Sequence, residues 1–227
     1  MNSIERRDFL KGTATGVFAF TVGGVEVLLS AREAHAQNVP FRLLKAGEAE
    51  TIETLGETIV PGARAAGIAH FIDQQLSVPP EEALLEARIL NVRPPYVRFY
   101  RSAIDAVENA SQSLNSGRKF AQLSSGEQHD FVDAMRQNKV QGWQGPSGSF
   151  VYLVLRSDAV DVVYGTMEGY EALGIPYMPH LRRTRGGDHG HERESRRRCG
   201  RRRRFGLGLR RGDGKAGQKS RRARAGP

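Results

Sequence analysis

An all-α fold is predicted for residues 37–180 by three observations. Apolar side chains recur at intervals of three and four residues, prolines and glycines interrupt that pattern where helices should end, and no alternating run of period two competes with it. A stretch of 144 residues is long enough for one domain with a buried core. We expect a compact domain of about five helices, with a disordered signal at 1–36 and a disordered tail at 181–227.

The apolar positions place the helices in order along the chain. Helical stripes are predicted over residues 44–59, 68–76, 84–90, 97–114 and 150–164. The first stripe stops at a Pro-Gly pair, the second and third before Pro-Pro pairs, and the fourth at Asn-Ser-Gly. These are the residues that end helices, because proline lacks a backbone N–H and glycine favours a turn.

A capping box marks a further helical segment. Ser124 stands three residues before Glu127, so its hydroxyl can accept a free backbone N–H while the Glu127 side chain reaches back to the cap. Phe131, Val132 and Met135 would then face the core. Residues 164–177 are punctuated by glycines, and we expect little helix there.

Charge divides the chain into two parts. The overall formal charge is +9. Residues 181–227 hold 18 basic and 4 acidic residues, whereas residues 1–180 hold 16 basic and 21 acidic residues. The domain is therefore mildly acidic and the tail strongly cationic. Cys199, the sole cysteine, lies in the tail, so the domain has no disulfide.

The N-terminus has the pattern of a twin-arginine export signal. The residues that carry it are Arg6, Arg7, Phe9, Leu10 and Lys11. Glu5 departs from the pattern, since Ser or Thr usually precedes the arginines. The pathway that reads paired arginines exports folded proteins. We therefore expect a location in the periplasm or at the periplasmic face of the inner membrane.

The rest of the predicted signal is weakly apolar. Residues 12–30 contain glycines, threonines and Glu26, so they are a poor membrane anchor, which needs about 20 predominantly apolar residues. Ala34 and Ala36 frame a small-x-small cleavage site. The alternative interpretation is a basic N-terminus ahead of an ordinary core helix.

Four short motifs follow one another along the chain. They are ETIVPGA at 57–63, AGIAHFID at 66–73, the FAQL element at 120–123 with Glu-Gln after it, and the closing stretch 164–180 with its LGIPYMPH ending. Together they resemble the gluconate 2-dehydrogenase subunit 3 family. The motifs occur in the family's order and cover about residues 45–180. A twin-arginine signal ahead of them fits the same family.

The resemblance implies a non-catalytic small subunit. In such complexes a large flavoprotein of the glucose-methanol-choline (GMC) oxidoreductase family, which holds FAD, oxidises a sugar or sugar acid. A cytochrome c subunit with haem c can pass electrons to the membrane. The small subunit escorts the flavoprotein through the twin-arginine export machinery and stabilises it. No cofactor is expected in this chain itself.

No catalytic, cofactor-binding or metal-binding residues are predicted. The sequence has no dinucleotide fingerprint, P-loop, paired cysteines or haem site. His70, His129 and His180 are far apart, and none has another histidine or a cysteine three or four positions away. Asp158 and Asp161 could share a helix face, where carboxylates more often solvate a helix or accept hydrogen bonds than catalyse.

Four aromatic residues are candidates for the partner interface. Trp143 lies in a glycine-rich loop, and Tyr164, Tyr170 and Tyr177 lie in the closing stretch. Tryptophan often anchors interfaces, and surface loops often carry contacts. Packing within the domain is the alternative for all four. Residues 73–75 are interpreted as an exposed helix end.

The tail has two interpretations. As written, it is a disordered polycation able to bind nucleic acid or anionic lipid. With synonymous codons of our choosing, shifted frames give a stop soon after His180, then a start, an apolar strand and the glycine spacing of a dinucleotide-binding fold. We therefore interpret the tail as out-of-frame translation into a flavoprotein gene, and no nucleic-acid partner is expected.

Two other classes of function remain as alternatives. One is an exported helical binding protein unrelated to a dehydrogenase, or a nucleic-acid binder acting through the tail. The other is a helical hydrolase that uses carboxylates. The acidic body and the export signal argue against the nucleic-acid binder, and the absence of a convergent motif argues against the hydrolase.

Overall fold

The computed structural model describes residues 16–175. Within that range the chain is mostly helical, so the predicted fold class is confirmed. The arginine pair with its flanking residues, Tyr177 and the tail at 181–227 lie outside the described residues. The predictions made for them stay predictions.

Two strands and eight α-helices form in the described range. The elements are β1 (Val17–Val22), β2 (Val25–Ser30), α1 (Ala31–Ala36), α2 (Ala46–Ile59), α3 (Ile68–Leu76), α4 (Glu86–Ile89), α5 (Tyr96–Leu114), α6 (Ser125–Arg136), α7 (Gly148–Tyr164) and α8 (Met167–Ala172). A short 3-10 turn, Phe120–Gln122, precedes α6. The five predicted stripes correspond to α2, α3, α4, α5 and α7.

The capping box at Ser124 is confirmed. The Ser124 side chain accepts from the backbone N–H of Glu127, and the Glu127 carboxylate accepts from the backbone N–H of Ser124 at 2.7 Å. Arg118 adds an ion pair to Glu127 at 2.6 Å. These hydrogen bonds, the one from Arg118 first, lower the pKa of Glu127 to about 2.

The helices α2 and α7 lie at the centre of the domain. Helix α2 contacts α3, α5, α6 and α7, and α7 also contacts α3, α4, α6 and α8. Their inward faces supply many of the fully buried apolar side chains, including Ile52, Leu55, Val151 and Val154. Apolar burial of this kind is the main favourable term in folding. Among the described helices, none combines the length and apolar character required to cross a membrane.

Residues 16–36, which we call the leader segment, differ from the expected disorder. Strands β1 and β2 pair antiparallel from Val17–Ser30 to Val22–Val25. Gly23 and Gly24 form the two-residue turn with φ angles of +58° and +84°. A turn with positive φ at both positions matches the twist of a hairpin, and glycine adopts it without strain. The glycines that dilute the apolar stretch therefore build a hairpin.

The leader segment packs on helix α3. Phe18, Phe20 and Leu29 are buried, and the Phe18 ring meets the Phe71 ring edge-on at 5.7 Å between centroids. Helix α1 follows and contacts α3 directly. Ala34, at the predicted cleavage site, has no exposed surface in this arrangement. Burial of three large apolar side chains is what orders the segment.

Candidate partner interface

Residues 164–175, which we call the closing segment, end the described chain with a short helix rather than the expected irregular loop. The Thr166 hydroxyl caps α8 by accepting from the backbone N–H of Gly169 at 3.1 Å. A Cβ on Gly169 would stand 2.3 Å from the carbonyl oxygen of Val163. Only glycine allows α8 to fold back this closely on α7. The prediction of little helix here missed the Thr166 cap.

The closing segment exposes a group of large apolar side chains. Met167 is 55% exposed, Leu173 53%, Ile175 49% and Tyr164 36%. Single exposed apolar residues are ordinary on protein surfaces, but several within twelve residues of chain form a candidate contact surface. Four exposed apolar side chains therefore lie in this short segment, close in the chain to polar groups such as Glu168.

The other predicted interface residues take different positions. Tyr170 is half-buried in α8. The Trp143 ring packs against the core, and its Nε1–H donates to the carbonyl oxygen of Pro146 at 2.6 Å. Trp143 thus uses its polar atom within its own loop, which favours the internal-packing alternative for this residue. Its role in an interface stays a prediction.

A cavity of about 230 Å³ separates the leader segment from the closing segment. Phe18 and Arg32 line one side, and Asp161, Thr166 and Glu168 line the other. Burial raises the pKa of Asp161, and the nearby Glu86 carboxylate raises it further. The cavity carries both signs of charge, and its lining residues Thr166 and Glu168 flank the exposed Met167 in the chain.

Asp158, considered above for its chemistry, is wholly enclosed. Its two carboxylate oxygens accept from the Tyr100 hydroxyl at 2.5 Å and from the backbone N–H of Glu86 at 3.0 Å. Burial, the largest effect, raises the pKa of Asp158 to about 7 although both hydrogen bonds lower it. Burial also raises the pKa of Tyr100. Asp158 therefore does not solvate a helix face with Asp161; it ties α4 and α5 to α7.

The interpretation of residues 73–75 as an exposed helix end is wrong. Asp73, Gln74 and Gln75 are each at most 3% exposed. The Asp73 carboxylate accepts three backbone N–H groups, from Arg42 at 2.7 Å and from Leu43 and Leu44 at 2.8 Å. The Gln75 side-chain oxygen accepts from the backbone N–H of Leu84 at 2.6 Å. These polar side chains bind α3 to residues 42–44, which precede α2, and to the loop that follows α3.

One cluster of polar side chains escaped the sequence analysis. His35 and Glu53 approach to 3.6 Å, and His70 joins them. These residues are 17 or more positions apart, so helical spacing gives no signal for the cluster. His129 lies elsewhere and is exposed on α6, where its Nδ1 lies 2.7 Å from the carbonyl oxygen of Ser125. His180 lies outside the described residues.

Comparison with known proteins identifies one family. A family model described as gluconate 2-dehydrogenase subunit 3 matches residues 46–179. The match begins with α2, includes the closing segment and leaves the leader segment outside. Comparisons with curated proteins and with solved structures found no match.

Proposed function

The chain belongs to the gluconate 2-dehydrogenase subunit 3 family, and on that premise we propose that it is the non-catalytic small subunit of an exported sugar or sugar-acid dehydrogenase. The family is that of a subunit of gluconate 2-dehydrogenase, which implies a dehydrogenase subunit as partner. In this proposal the partner is a GMC-type flavoprotein that holds FAD, and a cytochrome c subunit can complete the complex. The small subunit binds the flavoprotein, stabilises it and escorts it through twin-arginine export.

The exposed apolar group of the closing segment is the observation that carries the proposal. Met167, Leu173 and Ile175 are each about half exposed, and they lie inside the range that the family model matches. Covering such side chains stabilises a complex by roughly 25 cal/mol per Å² of apolar surface removed from water, before the costs of association are subtracted. The polar groups beside them would form the rim of such an interface.

The inner polar groups support a binding role over a catalytic one. The carboxylate oxygens of Asp73 and Asp158 accept hydrogen bonds from groups within the chain. Asp158 and Tyr100 are at most 1% exposed, so a substrate cannot reach them without local unfolding. The carboxylates of the core therefore position loops.

A binding experiment tests the proposed interface. The full chain is co-expressed with the GMC-type flavoprotein whose gene is expected to follow its own, and the complex is isolated through a tag on the flavoprotein. Met167→Asp combined with Leu173→Asp should weaken the recovered complex at least tenfold, because each carboxylate would be desolvated at the contact. Leu114→Asp is the matched control, since Leu114 is 47% exposed but lies on α5.

Equal recovery of the double variant and the control would contradict the proposed contact surface. Failure of the unaltered chain to bind the flavoprotein at all would contradict the proposed partner. Circular dichroism of each variant separates a lost contact from a lost fold.

The export part of the proposal rests on the N-terminal sequence. Arg6→Lys combined with Arg7→Lys should keep both the small subunit and the flavoprotein in the cytoplasm, because the pathway reads the paired arginines. Cell fractionation measures both proteins. Normal export of the doubly substituted chain would refute twin-arginine export while leaving the contact surface intact.

A further inference from the structure

Three side chains that can ligate a metal converge where the leader segment meets the domain. His35 lies on α1, Glu53 on α2 and His70 on α3. One ligand atom from each lies within 4.8 Å of the other two, and His35 Nδ1 stands 3.6 Å from a Glu53 oxygen. Three different helices thus deliver two imidazoles and a carboxylate to one point.

His70 is arranged as a metal-ligating histidine usually is. Its Nε2 lies 3.0 Å from the carbonyl oxygen of Val39. Because a carbonyl can only accept, the ring proton is on Nε2 and Nδ1 keeps its lone pair. That Nδ1 is buried and has no hydrogen-bond partner. Ligating histidines characteristically donate their second N–H to a backbone carbonyl or carboxylate, which fixes the tautomer and the ring orientation.

The surroundings hold the His70 ring in place and favour its neutral form. The ring is 5% exposed and packs against Phe41 at 4.5 Å between centroids and against His35 at 5.6 Å. Burial, the largest effect, lowers the pKa of His70, and the nearby His35 lowers it too, although Val39 and Asp73 act in the opposite direction. An unpartnered buried nitrogen otherwise carries the whole cost of its removal from water.

We propose that His35, Glu53 and His70 form a binding site for a divalent transition-metal ion, and that zinc is the ion the site fits. Two imidazoles and one carboxylate, with a water in the fourth position, are a known ligand set for zinc. Imidazole suits zinc better than it suits the hard cations magnesium and calcium, which prefer oxygen. The site does not depend on the identity of the protein partner.

The spacing of the ligand atoms is close to what zinc requires. Bonds of about 2.0–2.1 Å in a tetrahedral site separate neighbouring ligand atoms by roughly 3.4 Å. The His35–Glu53 separation of 3.6 Å needs almost no change. His35 and Glu53 are both half-buried, and rotation of their side chains can shorten the other distances between ligand atoms, which are at most 4.8 Å.

The site joins the leader segment to the domain. His35 precedes the predicted cleavage point after Ala36, whereas Glu53 and His70 lie in the range that the family model matches. Metal binding should therefore strengthen the docking of α1 on α2 and α3. Removal of residues 1–36 would take away one ligand and release the ion.

Metal titration of the full chain tests the site. Zn²⁺ affinity is measured by competition with a chromophoric chelator, and Co²⁺ is used as a spectroscopic probe. The background carries four substitutions outside the described residues, which remove other potential ligands: His180→Gln, His189→Gln, His191→Gln and Cys199→Ser. We expect one equivalent of Zn²⁺ and the intense visible absorption of four-coordinate Co²⁺.

Single substitutions identify the ligands. His35→Gln, Glu53→Gln and His70→Gln should each weaken Zn²⁺ binding about tenfold or more, since even outer hydrogen-bonding partners of a ligand are worth 10–100-fold. His129→Gln is the matched control and should leave the affinity unchanged. Zn²⁺ should also raise the melting temperature of the background chain, but it should not raise that of the same chain carrying Glu53→Gln.

The proposal is overturned if the background chain binds Zn²⁺ no more tightly than its Glu53→Gln variant, or if bound Co²⁺ stays six-coordinate. Either result would mean that His35 and Glu53 form only an ion pair and that the His70 ring only packs against its neighbours. Glu53 is half-buried, so its isosteric replacement keeps the test decisive even if His70→Gln fails to fold.

Discussion

The contacts that dock the leader segment (residues 16–36) differ in kind from the contacts that hold the domain itself together. Inside the domain, buried carboxylates tie one segment to the next: Asp73 binds residues 42–44, and Asp158 binds α4 and α5. The leader segment instead docks mainly through apolar side chains such as Phe18. Its polar side-chain contacts with the domain include the exposed hydrogen bond from Arg42 to Thr21 and the half-buried pair of His35 and Glu53.

Of the two, the leader segment is the part that can separate. Breaking a carboxylate tie leaves buried backbone N–H groups without a partner, at about 1–3 kcal/mol each. Undocking the leader segment mainly returns apolar surface to water, and its exposed hydrogen bond can be replaced by water. A leader segment that separates more easily than the domain unfolds would suit the export role proposed above, and a metal at His35, Glu53 and His70 would oppose the separation.

Removing the Asp73 tie should have the largest effect. Asp73→Ala leaves the buried N–H of Leu44 and the part-buried N–H groups of Arg42 and Leu43 without their acceptor, and we expect a loss of about 2–4 kcal/mol in the free energy of unfolding. Urea unfolding followed by circular dichroism measures it. Asp105→Ala, at an exposed position on α5, is the control and should stay within about 0.5 kcal/mol. Equal stability of the two variants would refute the tie.

The Asp158 tie predicts a dependence of stability on pH. Its folded pKa of about 7 lies above the ordinary value of 3.8, so the folded state holds the proton more tightly. The stability that this tighter proton binding adds to the folded state is fully present below pH 3.8 and is lost as the pH rises through 7. A displacement of this size corresponds to at most about 4 kcal/mol. Asp158→Asn should therefore flatten the decline in melting temperature between pH 4 and pH 7, and an unchanged slope would contradict the assignment.

The docking of the leader segment is tested by a glycine pair. Gly67 and Gly62 both have positive φ, at +81° and +93°, but a Cβ on Gly67 would stand 2.1 Å from the carbonyl oxygen of Ala31 whereas one on Gly62 meets nothing. Each alanine substitution costs about 1–2 kcal/mol in backbone strain. Of the two substitutions, only Gly67→Ala should undock the leader segment, because only there does the added Cβ meet Ala31.

Limited proteolysis of the full chain is the measurement. Cleavage near residues 31–36 should be several-fold faster in Gly67→Ala than in Gly62→Ala, while the helical circular dichroism of both stays alike. Equal protection of the leader segment in the two variants would show that α1 does not rely on this close approach.

Much of the helical framework could be predicted because its signals are local. The spacing of Ile68, Phe71 and Ile72 and the Pro-Gly stop after α2 act within one or two turns. The Ser124 cap is read from a four-residue pattern in the same way. The Gly-Gly turn between two β-prone runs was an equally local signal for the hairpin. It was overlooked because the stretch also fits a weakly apolar export signal.

The helical class, the main helix positions, the capping box and the family resemblance could all be inferred from the sequence, since each depends on residues close together in the chain. The burial of residues 73–75 and Asp158, the docking of the leader segment on α3, and the meeting of His35 with Glu53 and His70 became apparent only in the folded chain. Asp73 and Arg42 are 31 positions apart, and Asp158 and Glu86 are 72 apart. Whether such polar groups meet a partner or water depends on how helices pack, and no local pattern encodes it.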